Sequence, residues 1–277
     1  TEKKYILNRI KNNNIKIIIS TQSGIFIPFN NLDLIVVDEE HDFSYKQERI
    51  APYYHTRDVA LMRGKFSNSN VLLVSSVPSI ETYYNVKRNK YFHYVINNRF
   101  YNNSSSKVHL IDMRINKGPL SDILIREIKN TLDKKQQIIL LQNRKGIEKV
   151  GIEKVESILY KLFPEIRVFK YDKNSISKSD NYYKILNDFK NKKADLLLGT
   201  QMIAKGIEFE NVSLVGIINA DIGLMIPDYK SGEKIFQLIY QFIGRSGSKI
   251  KNTKAIIQSF NTENLDIRNA CKNNLNT

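Results

Sequence analysis

A chain of 277 residues is long enough for two domains of ordinary size, and with 42% hydrophobic and 10% aromatic residues most of it should fold. No stretch approaches ~18 uninterrupted apolar residues and no short apolar leader opens the chain, while the single cysteine, Cys271, excludes an internal disulfide and a Cys-rich zinc site; a soluble cytoplasmic protein without a membrane span is expected. The net charge of +15 suits a polyanionic partner, but the lysines are spread without a block, and a Lys-, Asn- and Ile-rich composition also follows from an AT-rich genome.

In chain order, IKIIIST (15–21), LDLIVVD (32–38), VLLVSS (71–76) and KVHLIDM (107–113) read as strands. They are short, β-branched and mostly continuous, as in a sheet covered on both faces. TRDVALMRGKF and SIETYYNVKRNK between them read as helices, with Thr56 and Ser79 as N-caps and Pro78 at the entry to a turn. Tyr101–Ser106 is a polar loop, and after Gly118-Pro119 the rhythm restarts. SDILIREIKNTLDKK is a helix capped by Ser121, QIILLQN a strand, and a helix runs through VESILYKLF. RVFKYD, DLLLGT, VSLVGIINAD and TKAIIQSF follow as strands, with helices from about Asn181 and Ser231. Alternating strands and helices imply parallel sheets with right-handed crossovers, hence an α/β fold of two domains, 1–112 and 113–277, with the boundary near 112–120. The tandem GIEKV-GIEKV at 146–155 is too short for a structural repeat and reads as a small duplication.

The acids of LIVVDEEH (34–41) cap an apolar strand. The C-terminal edge of a parallel sheet is where such folds bind ligands, and a strand-end acid pair can hold Mg²⁺ and direct an attacking water. A polar loop after a strand is the plainer alternative. His41 adds specificity, because it can link the carboxylates to a second element. Phe43, Tyr45, Lys46, Gln47, Tyr53, Tyr54, His55 and Arg57 then interleave aromatic and polar or basic groups. That pattern suits single-stranded nucleic acid, and equally a tyrosine-rich turn packed on the surface.

These residues carry a resemblance. DEEHDFSYKQ with PYYHTRD resembles the DEEH box and aromatic-rich loop of the replication-restart (primosomal protein N′, or PriA) helicase family of superfamily 2. STQSGIFIPF, SSVPSIE, NRKG (143–146), GTQMIAKGIEFENVSLVGIINAD and QFIGRSGS are similar to further motifs of that family, in order, over residues 1–265. The resemblance implies two RecA-like domains, the first incomplete at its N-terminus, with ATP in the cleft and DNA across both. It implies that Asp38 and Glu39 serve Mg²⁺ and water, Asp38 as the metal ligand, with His41 beside them. Gln241 and Arg245 would reach the nucleotide, with Gly206 also at the nucleotide cleft and Arg245 stabilising charge on the transferring phosphoryl group. Phe43, Tyr45, Lys46, Gln47, Tyr54, His55, Arg57, Thr200, Gln201 and Lys205 would meet DNA. Spacing alone also fits QFIGRSG to an ordinary amphipathic helix ending at glycine.

Departures accompany the matches. No G-x-x-x-x-G-K-[ST] occurs; RGK (63–65), SGEK (231–234) and GSK (247–249) lack its spacing. NRKG passes directly to the GIEKV tandem, without the family's cysteine-rich module, so no zinc is expected. Ser248 stands for the last arginine of the family's GRAGR, Val77 for the Thr of SATPS and Gln22 for the Arg of GTRS. Three functions stay open: an ATP-dependent DNA helicase core whose phosphate cradle comes from an upstream segment or a split partner, a non-catalytic DNA- or primosome-binding remnant, and a decaying gene. The first unit is expected to be the less stable, with apolar sheet surface exposed.

Overall fold

The computed structural model describes residues 2–48, 51–96, 106–142, 151–171, 179–204, 209–225, 227–245, 250 and 252–272. The chain divides into a unit of residues 1–93 and a unit of residues 94–277.

The first unit opens with α1 (Glu2–Lys11), which buries Ile10. A parallel pair follows, β1 (Leu34–Val37) and β4 (Asn70–Leu73), with Val36 beside Leu72. Between them lie a two-residue antiparallel ribbon, β2 (Lys46–Gln47) with β3 (Tyr54–His55), and α2 (Thr56–Ser67). α3 (Ile80–Lys87) comes after β4. α2 lies on one face of the pair, where Val37, Ala60 and Ile25 form a small core with Ile35, Val59, Val71 and Leu73. Contact there is close: a Cβ on Gly64 would stand 2.3 Å from Val71 Cγ2, so α2 tolerates only glycine at that turn. Arg63 fastens α2 to the preceding 3₁₀ turn (Gln22–Phe26) by donating to the carbonyls of Ile25 and Ile27. The opposite face of the pair is open, with Leu34, Val36 and Leu72 each about half exposed.

Two expectations fail here. Residues 15–21 form no strand; Ile17 and Ile19 are almost fully exposed, because a β-branched run becomes a strand only where a ladder partner exists. Thr56 does not cap α2. The helix begins at Thr56 with His55 before it, and the Thr56 hydroxyl donates instead to the Tyr45 carbonyl at 3.1 Å. Ser79 caps α3 as expected, accepting from the Thr82 N–H.

The second unit is a six-stranded sheet, parallel throughout, in the order β5-β10-β9-β6-β8-β7. Its elements are β5 (Lys107–Asp112), α4 (Asp122–Asp133), β6 (Gln137–Leu141), α5 (Ile152–Leu162), β7 (Val168–Tyr171), α6 (Ser179–Lys190), β8 (Leu196–Gly199), β9 (Val212–Ile217), α7 (Ser231–Ile243), β10 (Lys254–Ser259) and α8 (Leu265–Cys271). β5 was expected to close the first domain at 112. It pairs residue for residue with β10 and belongs to the second unit, moving the division to between His93 and Tyr94.

Both faces of this sheet are covered. Ile138, Leu140, Leu196, Leu198, Leu214 and Ile256 point to one side, against Leu124 and Ile128 of α4 and Val155 and Leu159 of α5. Ile139, Leu141, Leu197, Val215, Ile217 and Ile257 point to the other, against Ile235, Ile239 and Phe242 of α7 and Ile267 of α8. The buried α7 positions recur three and four residues apart, as a helix on a sheet requires. Each such side chain contributes on the order of 1.5–3 kcal/mol when fully buried. Polar side chains pin the edges: fully buried Gln258 accepts from Ser121 N–H at 2.8 Å and donates to the carbonyls of Pro119 and Ile218. Ser121 caps α4 as expected. The second GIEKV copy opens α5, while the first copy and NRKG lie outside the described residues. Among the described residues no helix is long and apolar enough to cross a membrane.

Candidate functional site

The acids after β1 occupy a turn that sorts them. Glu39 adopts φ 50°, a left-handed conformation that costs a non-glycine residue on the order of 1–2 kcal/mol. Three hydrogen bonds hold it: Glu39 N–H to Asp38 Oδ1 at 3.0 Å, Glu40 N–H to the Val74 carbonyl at 3.0 Å, and Asp42 N–H to the Glu39 carbonyl at 2.8 Å. The turn leaves Asp38 exposed and Glu39 half-buried, and drives Glu40 and His41 inward.

Asp38 and Glu39 line a cleft of about 290 Å³ together with Thr21, Gln22, Asp42, Ser44 and Tyr45. Tyr45 closes it from the aromatic loop, its hydroxyl donating to the Asp38 carbonyl at 2.7 Å. Burial first, and then the negative charges of Asp38, Asp42 and Glu39, push the Tyr45 phenol up, so it remains a donor. Gln22 reaches the same loop, Nε2 donating to the Ser44 carbonyl at 2.8 Å, and its buried Oε1 has no hydrogen-bond partner among the described residues. His41 Nδ1 lies 2.6 Å from Ser75 Oγ and Nε2 lies 3.5 Å from Glu39 Oε2. It therefore joins the acid turn to the SSVPS segment after β4, the second element its type suggested.

Glu40 forms a separate cluster. It is 1% exposed and accepts from Ser79 N–H (2.7 Å), Ser79 Oγ (3.0 Å), Thr82 Oγ1 (2.9 Å) and Arg57 Nη1 (3.2 Å). Arg57 was expected to contact DNA, but its side chain is buried against Glu40, with Asp58 and Glu81 nearby. Burial works against its charge, Asp58 and the Glu40 hydrogen bond work for it, and the net holds the guanidinium more firmly protonated than usual. Arg57 is thus a structural tie between α2, the acid turn and α3. Sequence reasoning missed this cluster; the one available signal was the surplus acid in DEEH.

The rest of the loop is more open. Lys46 is exposed and pairs with Glu48, Tyr53 is 72% exposed, and Phe43, Gln47, Tyr54 and His55 are half-buried, Tyr54 edge-on to Phe26.

In the second unit Thr200 follows β8 and is buried, its N–H donating to the Tyr171 carbonyl at 3.3 Å. Gly199 must precede it, because a Cβ there would meet the Tyr171 carbonyl at 2.3 Å. Gln201 is exposed and opens a 3₁₀ turn (Gln201–Ala204) that packs against α7. Gln241 lies in the last turn of α7 and Arg245 just beyond it, four residues apart and both half-buried. Lys205, Gly206 and Ser248 lie outside the described residues. Asp221 was overlooked in NAD (219–221): it is buried and accepts from Ser259 Oγ and the N–H groups of Phe260 and Asn261, fastening the end of β10. Burial pushes the Cys271 thiol up to about 12, which makes it a poor nucleophile.

Among the described residues no three His, Cys, Asp or Glu side chains converge as a metal cage. An oxygen-rich cleft with one or two carboxylates is instead the donor set that Mg²⁺ uses when phosphates complete its coordination.

The family model "Helicase conserved C-terminal domain" matches residues 120–250. The replication restart protein PriA of Chlamydia trachomatis is 34% identical over 320 residues, covering 92% of this chain and 42% of that protein. PriA of Rickettsia prowazekii is 32% identical, covering 95% and 50%, and PriA of Bacillus subtilis 31%, covering 94% and 40%. Among solved structures, RecG bound to a three-way DNA junction matches 93% of this chain and 30% of its own, with TM-score 0.53 at 15% identity. S. cerevisiae Dbp5 bound to RNA and ADP BeF3 matches 97% and 60%, with TM-score 0.53 at 14% identity. These two show the fold, a pair of RecA-like α/β domains. The chain is thus PriA-like in sequence over 92–95% of its length, and it spans about half or less of the length of these curated relatives.

Proposed function

We propose that the chain is a core portion of an ATP-dependent DNA helicase of replication restart, whose nucleotide site is completed by a phosphate-binding loop that this sequence does not contain. What supports the reading is the acid turn. Asp38 and Glu39 stand at the C-terminal end of a parallel strand, in a cleft joined through His41 to the SSVPS segment and through Tyr45 to the aromatic loop. Asp38 would hold Mg²⁺, which supplies charge neutralisation at the phosphates. Glu39 would orient the attacking water, and Gln241 and Arg245 would serve the nucleotide. Gly206 would line the nucleotide cleft. Phe43, Tyr45, Lys46, Gln47, Tyr54 and His55 would meet DNA, with Thr200, Gln201 and Lys205 along the backbone path. Primosome proteins are the natural partners of such a core, and the cytoplasm its compartment.

The missing G-x-x-x-x-G-K-[ST] favours a second reading, a DNA- or primosome-binding protein that does not hydrolyse ATP. ATP turnover separates the two. Alone, the chain is expected to turn over ATP negligibly, since a carboxylate pair without a cradle does not position the γ-phosphate. Fused to the N-terminal half of a PriA relative that carries the loop, it is expected to gain DNA-stimulated turnover that Glu39→Gln removes. A fusion that binds ATP yet stays inactive with Glu39 intact would establish the non-catalytic reading.

A further inference from the structure

A second aromatic and basic stretch lies at 83–93, YYNVKRNKYFH, in the last half of α3 and the turn after it. Its charge is uncompensated along the chain: no Asp or Glu occurs between Glu81 and Asp112, in a sequence that holds 28 of them. The 43–55 loop differs, since Asp42 and Glu48 lie within or beside it.

The structure turns this composition into a surface. Ile80, Tyr84 and Arg88 recur at four-residue spacing and form an exposed face of α3, with Ile80 62% and Tyr84 52% exposed. The Arg88 guanidinium lies 5.3 Å from the Tyr84 ring centre and its Nε donates to the Tyr84 hydroxyl at 2.9 Å; Lys87 Nζ lies 5.2 Å from the Tyr83 ring. Rings held by cations in this way lose little freedom when a ligand stacks on them. The helix ends in a left-handed turn, Asn89 at φ 55°, with Lys90 N–H bonded to the Asn85 carbonyl and Asn89 N–H to that of Val86. Asn85 Nδ2 donates to the Tyr91 hydroxyl at 3.3 Å, and the chain leaves with the Phe92 ring wholly in solvent. A series of ring, cation and ring, with the one acid of α3, Glu81, lying 3.9 Å from Arg57 Nη1 at the start of the helix, suits a ligand that offers flat apolar faces along a polyanionic backbone.

We propose that the exposed face of α3 and its C-terminal turn form a second contact for single-stranded nucleic acid, distinct from the 43–55 loop. Tyr84 and Phe92 stack on bases, and Lys87, Arg88 and Lys90 neutralise phosphates. The choice of ligand rests on the helicase reading. Fluorescence anisotropy of the full chain with a labelled oligo-dT of about twelve nucleotides, across a salt series, tests both. Tyr84→Ala and Phe92→Ala should each weaken binding by about 5- to 150-fold, the loss of one stacked base. Tyr84→Phe, which keeps the ring, should bind within about twofold of the parent. Lys90→Ala should lower the slope of log affinity against log salt by about 0.7. The Phe92 variant removes a ring that touches no core, so a loss of binding there is not a loss of folding. If Tyr84→Ala and Phe92→Ala bind as the parent does while Tyr45→Ala weakens binding, the second contact is wrong and the helicase reading stands. A parent chain that binds no single strand overturns both.

Discussion

β1 and β6 carry nearly the same chemistry, LIVV in one and QIILL in the other, and they end in opposite circumstances. Every residue of β6, β8 and β9 is buried. In β1 and β4 alternate residues are open to solvent. The second unit covers both faces of six strands with helices, whereas among the described residues of the first a two-stranded parallel pair, β1 with β4, has one layer of cover. A two-stranded parallel pair is marginal by itself, so the first unit depends on something besides its sheet. The structure identifies that as the polar cluster around Glu40. Apolar burial holds the second unit together, and a buried carboxylate bonded to both α2 and α3 does much of the same work in the first.

Removing that carboxylate is the severest test of the contrast. Glu40→Ala leaves Arg57 buried without its main partner and Ser79 and Thr82 without their acceptor. It is expected to destabilise the first unit by about 3 kcal/mol, the low end for a broken buried pair, because Asp58 and Glu81 remain near the guanidinium. Native-state hydrogen exchange should show faster exchange of amides in α2, α3 and β4, with α7 and β9 unchanged. A loss of less than about 1 kcal/mol would mean that the first unit does not rest on this cluster.

A matched pair of isosteric changes probes the two sheets directly. Val215→Thr places a hydroxyl at a fully buried position of β9 and should cost about 1–3 kcal/mol in urea unfolding of the second unit. Val36→Thr makes the same change on the open face of β1, where Val36 is 53% exposed, and should stay within about 0.5 kcal/mol. Threonine suits strands as well as valine does, so backbone preference does not blur the comparison. Equal costs at the two positions would show that the β1 face is covered in solution.

How much of this was legible beforehand depended on whether the deciding interaction was local. Alternation of apolar runs and amphipathic stretches gave the α/β class, and serine before an amphipathic run marked the caps at Ser79 and Ser121, because both signals lie within a few residues. The allegiance of β5 did not, since its partner β10 lies far along the chain and a parallel register leaves no trace in either strand. Residues 15–21 have the composition of a strand but no ladder to join. Within DEEH the sequence showed acids at a strand end. Which of them turns inward follows from one left-handed residue, Glu39, and from a serine N–H near α3 that accepts no substitute from the sequence pattern. The burial of Arg57 was hidden for the same reason: a basic residue among tyrosines reads as a ligand contact until its carboxylate partner is seen.

The helix ends extend the comparison to its finest scale. In the first unit the left-handed positions that close helices are asparagines, Asn13, Asn68 and Asn89, at φ between 51° and 59°. In the second unit the corresponding residues after α4 and α6 are lysines, Lys135 and Lys192, at φ 54° and 60°. Each lysine N–H is bonded to the carbonyl three residues back, Leu132 and Phe189, as a closing turn requires. Asparagine tolerates this conformation and lysine does not, for lysine carries the full Cβ clash without a short polar side chain to offset it. Lys135→Gly should therefore stabilise the second unit by about 0.5–1 kcal/mol, the relieved strain less the greater freedom of glycine in the unfolded chain. Asn68→Gly should change the first unit by only about 0.3 kcal/mol or less. Lys135 is exposed, so the substitution removes little packing, and thermal unfolding of both variants reads the difference directly. If Lys135→Gly leaves the midpoint unmoved or lowers it, the lysine is not strained there, and the two units close their helices at equal cost.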